Sequence, residues 1–216
     1  MKQGLVNIKY DKADKNDISY FLFLEGKTIN EISAIRGIDK SLIENQIING
    51  KIKYRYLIKS KNIYELLGLL INAGKEDKKE TIKNFDSSIK LEFLTYVKSH
   101  IDDLNYKYKQ LIFWMAGELG LKELYGLMIK YSKCQDVGVR RMIVSAVGKI
   151  GDTAGEDILI GSLKDENPQV RLYAVKGLLK LKSIKAAPYI NNLKDAEEKE
   201  YVIRATEEYL NNIKGV

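Results

Sequence analysis

The chain has 216 residues, 45% hydrophobic and 30% charged, with 36 Lys and Arg against 29 Asp and Glu for a formal net charge of +7. That balance is ordinary for a globular chain with room for one large or two small domains, and no window approaches the ~18 uninterrupted apolar residues of a membrane span. The start, MKQGLVNIKYDKADKND, lacks the apolar stretch of a secretory signal, and the single cysteine, Cys134, suits a reducing compartment, so a cytoplasmic protein without membrane contact is expected.

Charge is uneven along the chain: residues 1–61 hold twelve Lys or Arg and seven Asp or Glu, residues 62–216 twenty-four and twenty-two. Residues 1–16 are expected to form a flexible N-terminus. From Asp17, DISYFLFLEGK places Ile18, Phe21, Leu22 and Leu24 on one face of a first helix, which Gly26 ends. Thr28 stands three residues before Glu31, the spacing of a capping box in which hydroxyl and carboxylate satisfy free amides at a helix start. Ile29, Ile32 and Ile35 supply the inward face of this second helix. Arg36-Gly37-Ile38-Asp39 reads as a tight turn, with Gly37 at positive φ and Asp39 capping a third helix from Lys40 to about Ile48.

On that third helix Leu42, Ile43 and Ile47 would face inward. Lys40, Ser41, Glu44, Asn45 and Gln46 would face outward, where such side chains reach phosphates and base edges. The segment from Asn45 to Lys61 contains no acid and holds Lys51, Lys53, Arg55, Lys59 and Lys61. These are candidate phosphate contacts, since each neutralised phosphate releases counterions; a solvated lysine-rich surface explains the cluster equally well. In KIKYRYLIKSK, residues 51–61, Ile52, Tyr54 and Tyr56 alternate with Lys53 and Arg55, which fits a short wing strand or a basic lead into the next helix; the lead is preferred. A helix-turn-helix domain is thus expected over residues 17–61.

LEGKTINEISAIRGIDKSLIENQIINGKI resembles the helix-turn-helix domain at the C-terminal end of many bacterial RecQ-type helicases. Gly26, Ile29, Ile32, Arg36, Gly37 and Ile43 match that family's pattern, between about Tyr20 and Lys53. The resemblance implies a tri-helical fold that meets DNA with its third helix, on which Gln46 and Leu42 depart from the family's usual His and Thr. No phosphate-loop pattern of a helicase motor, GxxxxGK[ST], occurs. Tri-helical units also serve as protein-docking modules, so fold alone does not fix the ligand.

Residues 62–216 read as helices. Asn62 and Ser87 or Ser88 are candidate N-caps and Gly74 a candidate stop. Asn105-x-x-x-Lys109, Asp136-x-x-x-Arg140 and Asn167-x-x-x-Arg171 recur every 31 residues. Gly117-Glu118-Leu119-Gly120 and Gly148-Lys149-Ile150-Gly151 keep the same offset, and Leu178 to Lys182 fill the third place. Such self-similarity signals helix pairs that bury their faces only by stacking into a solenoid. VRRMIVSAVGKIGDTAGEDILIGSLKDENPQVRLYAVKGLL resembles HEAT repeats, with Pro168 where a first helical turn tolerates a missing amide. Two clear copies run from Val137 to Glu166 and from Asn167 to Glu198, after a degenerate copy from Asn105 and before a half-copy from Tyr201 to Ile213.

The ladder Lys109, Arg140, Arg171 could track a phosphate backbone. The HEAT resemblance implies instead that each pairs with an acid or carbonyl of the neighbouring repeat, for which Asp136 and Asp165 are available, and this structural role is preferred. Arg141, Lys149, Lys176 and Lys180 are left freer. Chemistry is scarce. His100 and Cys134 lack partners at metal or catalytic spacing, Asp102-Asp103 and Glu197-Glu198 read as solvated helix ends, and Trp114 reads as core.

The expectation is an all-α chain: a helix-turn-helix followed by an α-solenoid of HEAT-like repeats over residues 62–216. It is expected to be non-enzymatic, with no catalytic residue, metal, cofactor or small-molecule substrate. DNA would be bound through the third helix and basic segment, and the solenoid would offer a protein-partner surface or extended nucleic-acid contact. The alternative is a protein-binding scaffold without DNA contact; a HEAT-like DNA-repair glycosylase is a third reading, with no motif to carry it.

Overall fold

The computed structural model of the chain describes residues 2–7 and 13–213. The all-α expectation holds: among the described residues fourteen α-helices are joined by short connections, beside one two-stranded hairpin. The chain divides into two compact units, Met1–Tyr96 and Val97–Val216. The division falls later than residue 61, where the helix-turn-helix domain and its basic segment were expected to end.

In the first unit β1 (Lys2–Gln3) pairs antiparallel with β2 (Val6–Asn7). Gly4 turns between them at φ +58, with a Cβ position only 2.4 Å from the Ile58 carbonyl oxygen, and the Leu5 amide donates to the Leu57 carbonyl at 2.9 Å. Leu5 and Val6 are buried, so this part of the segment expected to be flexible is tied to the core. Residues 1 and 8–12 of that segment lie outside the described residues.

The helices of this unit are α1 (Asp17–Leu24), α2 (Ile29–Arg36), α3 (Lys40–Lys53), α4 (Arg55–Lys59), α5 (Ile63–Ile71), α6 (Lys75–Lys83) and α7 (Ser87–His100), within which the division falls. The capping box closes as read: the Thr28 amide donates to Glu31 Oε2 at 2.7 Å and the Glu31 amide to Thr28 Oγ1 at 3.3 Å. Gly37 ends α2 in the left-handed conformation at φ 64.

Other local expectations shift. Asp39 occupies the N-cap of α3 without a side-chain hydrogen bond. Asp86 caps α7 in place of Ser87 or Ser88, its Oδ1 accepting from the Ile89 amide at 2.8 Å. Gly74 precedes α6, while α5 has already ended at Ile71.

The larger correction concerns α3, which continues to Lys53 where a stop near Ile48 was expected; α4 follows almost directly, so residues 51–61 form neither a wing strand nor a plain lead. Packing accounts for the extra turns. Gly50 leaves room for the Tyr20 ring, whose Cγ would lie 2.3 Å from a Cβ there, and Tyr54 stacks on Tyr20 at 6.0 Å between centroids. Ile32, Ile43 and Ile47 are buried as expected, but Ile35 and Leu42 are 60% and 48% exposed, outside the core they were expected to join. Leu57, Ile63, Leu66, Leu67 and Leu70 are buried and α4 packs on α5, which is why helices beyond residue 61 belong with the first core.

The second unit holds α8 (Tyr106–Leu119), α9 (Tyr125–Tyr131), α10 (Val137–Ile150), α11 (Glu156–Ser162), α12 (Pro168–Leu181), α13 (Ala187–Ala196) and α14 (Glu200–Ile213). Helices α8, α10, α12 and α14 pack side by side as one layer, and α9, α11 and α13 cover it as a second, the arrangement of an α-solenoid. The repeat is visible at both ends of the first-layer helices. Asn105, Asp136 and Asn167 each accept amides of the first turn with a side-chain oxygen, and Pro168 takes the first helical position. At the other end Gly120 and Gly151 are left-handed at φ 68, and Lys182 adopts the same conformation at φ 52 in the third copy.

Candidate nucleic-acid interface

Burial decides which sequence candidates on α3 can meet a ligand. The inward side of the helix carries Ile43, Gln46, Ile47 and Gly50. Gln46 is only 7% exposed, which corrects its assignment to the outward face. Its Oε1 accepts from Ser19 Oγ at 2.8 Å and from an Arg36 guanidinium nitrogen at 2.6 Å, and its Nε2 donates to Asn16 Oδ1 at 3.0 Å. Arg36 also donates to Ser19 Oγ and to the Lys15 carbonyl, each at 2.6 Å. The cluster therefore joins the start of α1, the end of α2 and the middle of α3. A buried amide satisfied on both ends sets the rotation of α3 about its axis, because any other rotation would strand polar groups away from water.

That rotation leaves Lys40, Ser41, Glu44 and Asn45 exposed together at the start of α3. Further along the same outward side stand Ile48 and Ile52, 54% and 60% exposed, so the face is polar at its N-terminal half and aliphatic at its C-terminal half.

The basic segment divides in the same way. Lys51 is exposed, with its ammonium 4.7 Å from the centroid of the Phe23 ring. Lys59 and Lys61 are exposed. Lys53 pairs with Asp17 at 2.7 Å, on a carboxylate that also accepts from the Tyr54 hydroxyl at 2.8 Å. Arg55 pairs with Asp77 and lies over the Tyr56 ring at 4.6 Å. The sequence placed Lys53 and Arg55 among the phosphate contacts. Their charges are answered within the fold by Asp17, 36 positions away along the chain, and by Asp77, partners no local pattern indicates.

In the second unit the Arg ladder is internal. Arg140 clasps Asp165 through Nε at 2.7 Å and a terminal nitrogen at 3.0 Å, and donates to the Cys134 and Gln135 carbonyls. Arg171 repeats this with Glu197, at 2.6 and 2.7 Å, and with the Asp165 and Glu166 carbonyls. Each bidentate pair raises the pKa of its guanidinium. Lys109 is 7% exposed, donates to the Asp102 carbonyl at 3.2 Å and lies between the Tyr106 and Tyr131 rings. Asp136 caps α10 and accepts from Gln110 Nε2 at 2.9 Å, so it takes no part in the ladder expected of it.

A groove of about 930 Å³ runs past Ile129, Cys134, Arg140, Asp157 and Asp165. Burial pushes the Cys134 thiol above its ordinary pKa, the opposite of what a nucleophilic cysteine needs. Trp114 is half-buried, at the edge of the core expected of it, while its neighbours Ile112, Phe113 and Met115 are fully buried. No described helix is long and apolar enough to cross a membrane. Among the described residues no cluster of His, Cys, Asp and Glu has the makings of a metal site.

A family model described as HEAT repeats matches residues 100–211, which takes in every helix from α8 to α13 and most of α14. No curated protein matches the chain.

Proposed function

From the premise that the chain belongs to the HEAT-repeat family, a family of stacked helix pairs suited to presenting extended binding surfaces, we propose that it is a non-enzymatic scaffold that binds DNA through its first unit. The reading rests on one observation: the Arg36–Gln46–Ser19–Asn16 cluster fixes α3 so that Lys40, Ser41, Glu44 and Asn45 emerge side by side at the start of that helix. The first residues of a third helix after a tight turn are those that reach base edges in helix-turn-helix proteins. Lys51, Lys59 and Lys61 add exposed positive charge for the phosphates.

The test is fluorescence anisotropy with labelled duplex DNA at low and moderate salt. Salt-dependent binding that falls at least tenfold in a Lys40→Glu, Lys51→Glu chain is expected. Absence of binding at low salt, or affinity unchanged by the two reversals, overturns the reading.

A second reading is favoured by the other half of the helix. Ile48 and Ile52, with Leu42 and Ile35, place four exposed aliphatic side chains on α2 and α3, an arrangement that suits a protein partner better than a phosphate backbone. Under it, Ile48→Asp with Ile52→Asp would abolish partner capture while leaving DNA affinity intact.

A further inference from the structure

The charge of the second unit is uneven among its helices, since α14, in the same layer as α8, α10 and α12, holds one Arg and three acids. Helices α8, α10 and α12 together hold eight Lys or Arg and one acid, Glu118. The remainder of residues 97–216 holds eleven Lys or Arg and fifteen acids. Folding withdraws some of the excess. Arg140 and Arg171 are neutralised by Asp165 and Glu197, Lys109 is buried, and Glu118 cancels Lys149. What stays on the outward side of the three helices is positive: Lys107, Arg141, Lys176 and Lys180, with no acid among them.

The repeat fixes where these cations stand. With the helices beginning at Tyr106, Val137 and Pro168, residues 31 apart form rows across the layer: Gln110 with Arg141, Trp114 with Ser145 and Lys176, Glu118 with Lys149 and Lys180. Contacts between neighbouring helices agree with this register. Arg141 donates to Gln169 Oε1 at 2.8 Å, Lys149 pairs with Glu118, and the Lys180 ammonium rests on the Gly148 and Lys149 carbonyls at 3.0 and 2.9 Å. A carbonyl does not cancel a charge, so Lys180 remains a cation, and Arg141 Nε is buried without an acceptor. Neighbouring helices lie ~10 Å apart, so successive cations span the face rather than cluster at one point. Trp114, half-buried, stands in the middle row.

We propose that this face of α8, α10 and α12 is a track for single-stranded nucleic acid, with phosphates over Lys107, Arg141, Lys176 and Lys180 and a base stacked against Trp114. Cations along a groove beside an aromatic platform are what sequence-tolerant binding of an unpaired strand requires. An acidic peptide fits the surface less well, because a protein contact draws most of its affinity from buried anchors, whereas the cations here are spread over three helices. The track is separate from the α3 site and does not depend on it.

Trp114 is the chain's only tryptophan, so its emission reports on this face and not on α3. The full chain is titrated with an unlabelled oligothymidylate and, in parallel, with a duplex and with polyglutamate. Quenching of Trp114 by the single strand is expected, reversed by salt and weakened roughly tenfold or more in a Lys107→Glu, Lys176→Glu chain of unchanged helical circular dichroism. The Lys40→Glu, Lys51→Glu chain should quench like the parent, so loss of the α3 reading leaves this one standing. Emission indifferent to the oligonucleotide, equal quenching by polyglutamate, or stronger quenching of Trp114 by the duplex than by the single strand overturns the proposal.

Discussion

Arg171 and Glu197 make a bidentate pair whose side chains are 17% and 1% exposed. The guanidinium holds the Glu197 carboxyl below its ordinary value of 4.5, against a smaller opposing effect of burial. A carboxylate depressed in the folded state contributes stability that is present above its unfolded pKa and lost as the pH falls through the folded one. Removing Arg171 leaves a buried acid without a counter-charge, held only by the Glu198 and Lys199 amides. Arg171→Ala is therefore expected to lower unfolding stability at pH 7 by ~3–5 kcal/mol, with a smaller deficit near pH 4, where Glu197 takes up a proton more readily in the variant. Urea denaturation at the two pH values measures both; a loss of under ~1 kcal/mol would place this pair with weak surface bridges. The sequence favoured a structural role for Arg140 and Arg171 through the HEAT resemblance. It did not show the partner of Arg171, because Asp165 serves the preceding Arg and its counterpart, Glu197, arrives 32 residues later, one position out of register.

Among the helices, two kinds of glycine recur at the same period, and the spacing alone does not tell them apart. Gly120 and Gly151 end α8 and α10 in the left-handed conformation. Gly117 and Gly148 lie within the helices and allow close crossings: a Cβ on Gly117 would stand 2.7 Å from Ala146 Cα, and one on Gly148 would stand 3.2 Å from Gly177 Cα. Backbone at such range cannot step aside as a side-chain tip can. Gly148→Val should pry α10 from α12 and cost ~1–3 kcal/mol, read as a lowered urea midpoint with Trp114 emission as the probe. An unchanged midpoint would mean that the layer relaxes freely around this crossing. Helix existence and the caps of the repeat helices were legible because they depend on neighbours within a turn or on the repeat. The length of α3 was not, because its last turns are held by Tyr20 and Tyr54 against Gly50, contacts that reach back to α1.

Across the whole molecule the net charge of +7 misstates what a polyanion would meet, since pairing within the fold decides which cations remain. This is where the candidate site was least legible. Lys51 and Lys53 stand two residues apart in an acid-free run, yet Lys51 is exposed beside Phe23 while Lys53 is half-buried on Asp17. Counterion release separates the two by measurement, because only a cation that sits on a phosphate contributes to the salt dependence, by ~0.9 in the slope of log affinity against log salt for duplex DNA. Lys51→Ala is expected to make that slope shallower by about one such increment and to leave stability unchanged within ~0.5 kcal/mol. Lys53→Ala should do the reverse, leaving the slope of the parent chain and lowering stability, since Asp17 is then held by the Tyr54 hydroxyl alone among the partners it has now. Equal changes in slope for the two variants would mean that the Lys53–Asp17 pair opens to meet DNA, and the division of the basic segment into ligand-facing and fold-facing halves would fall with it.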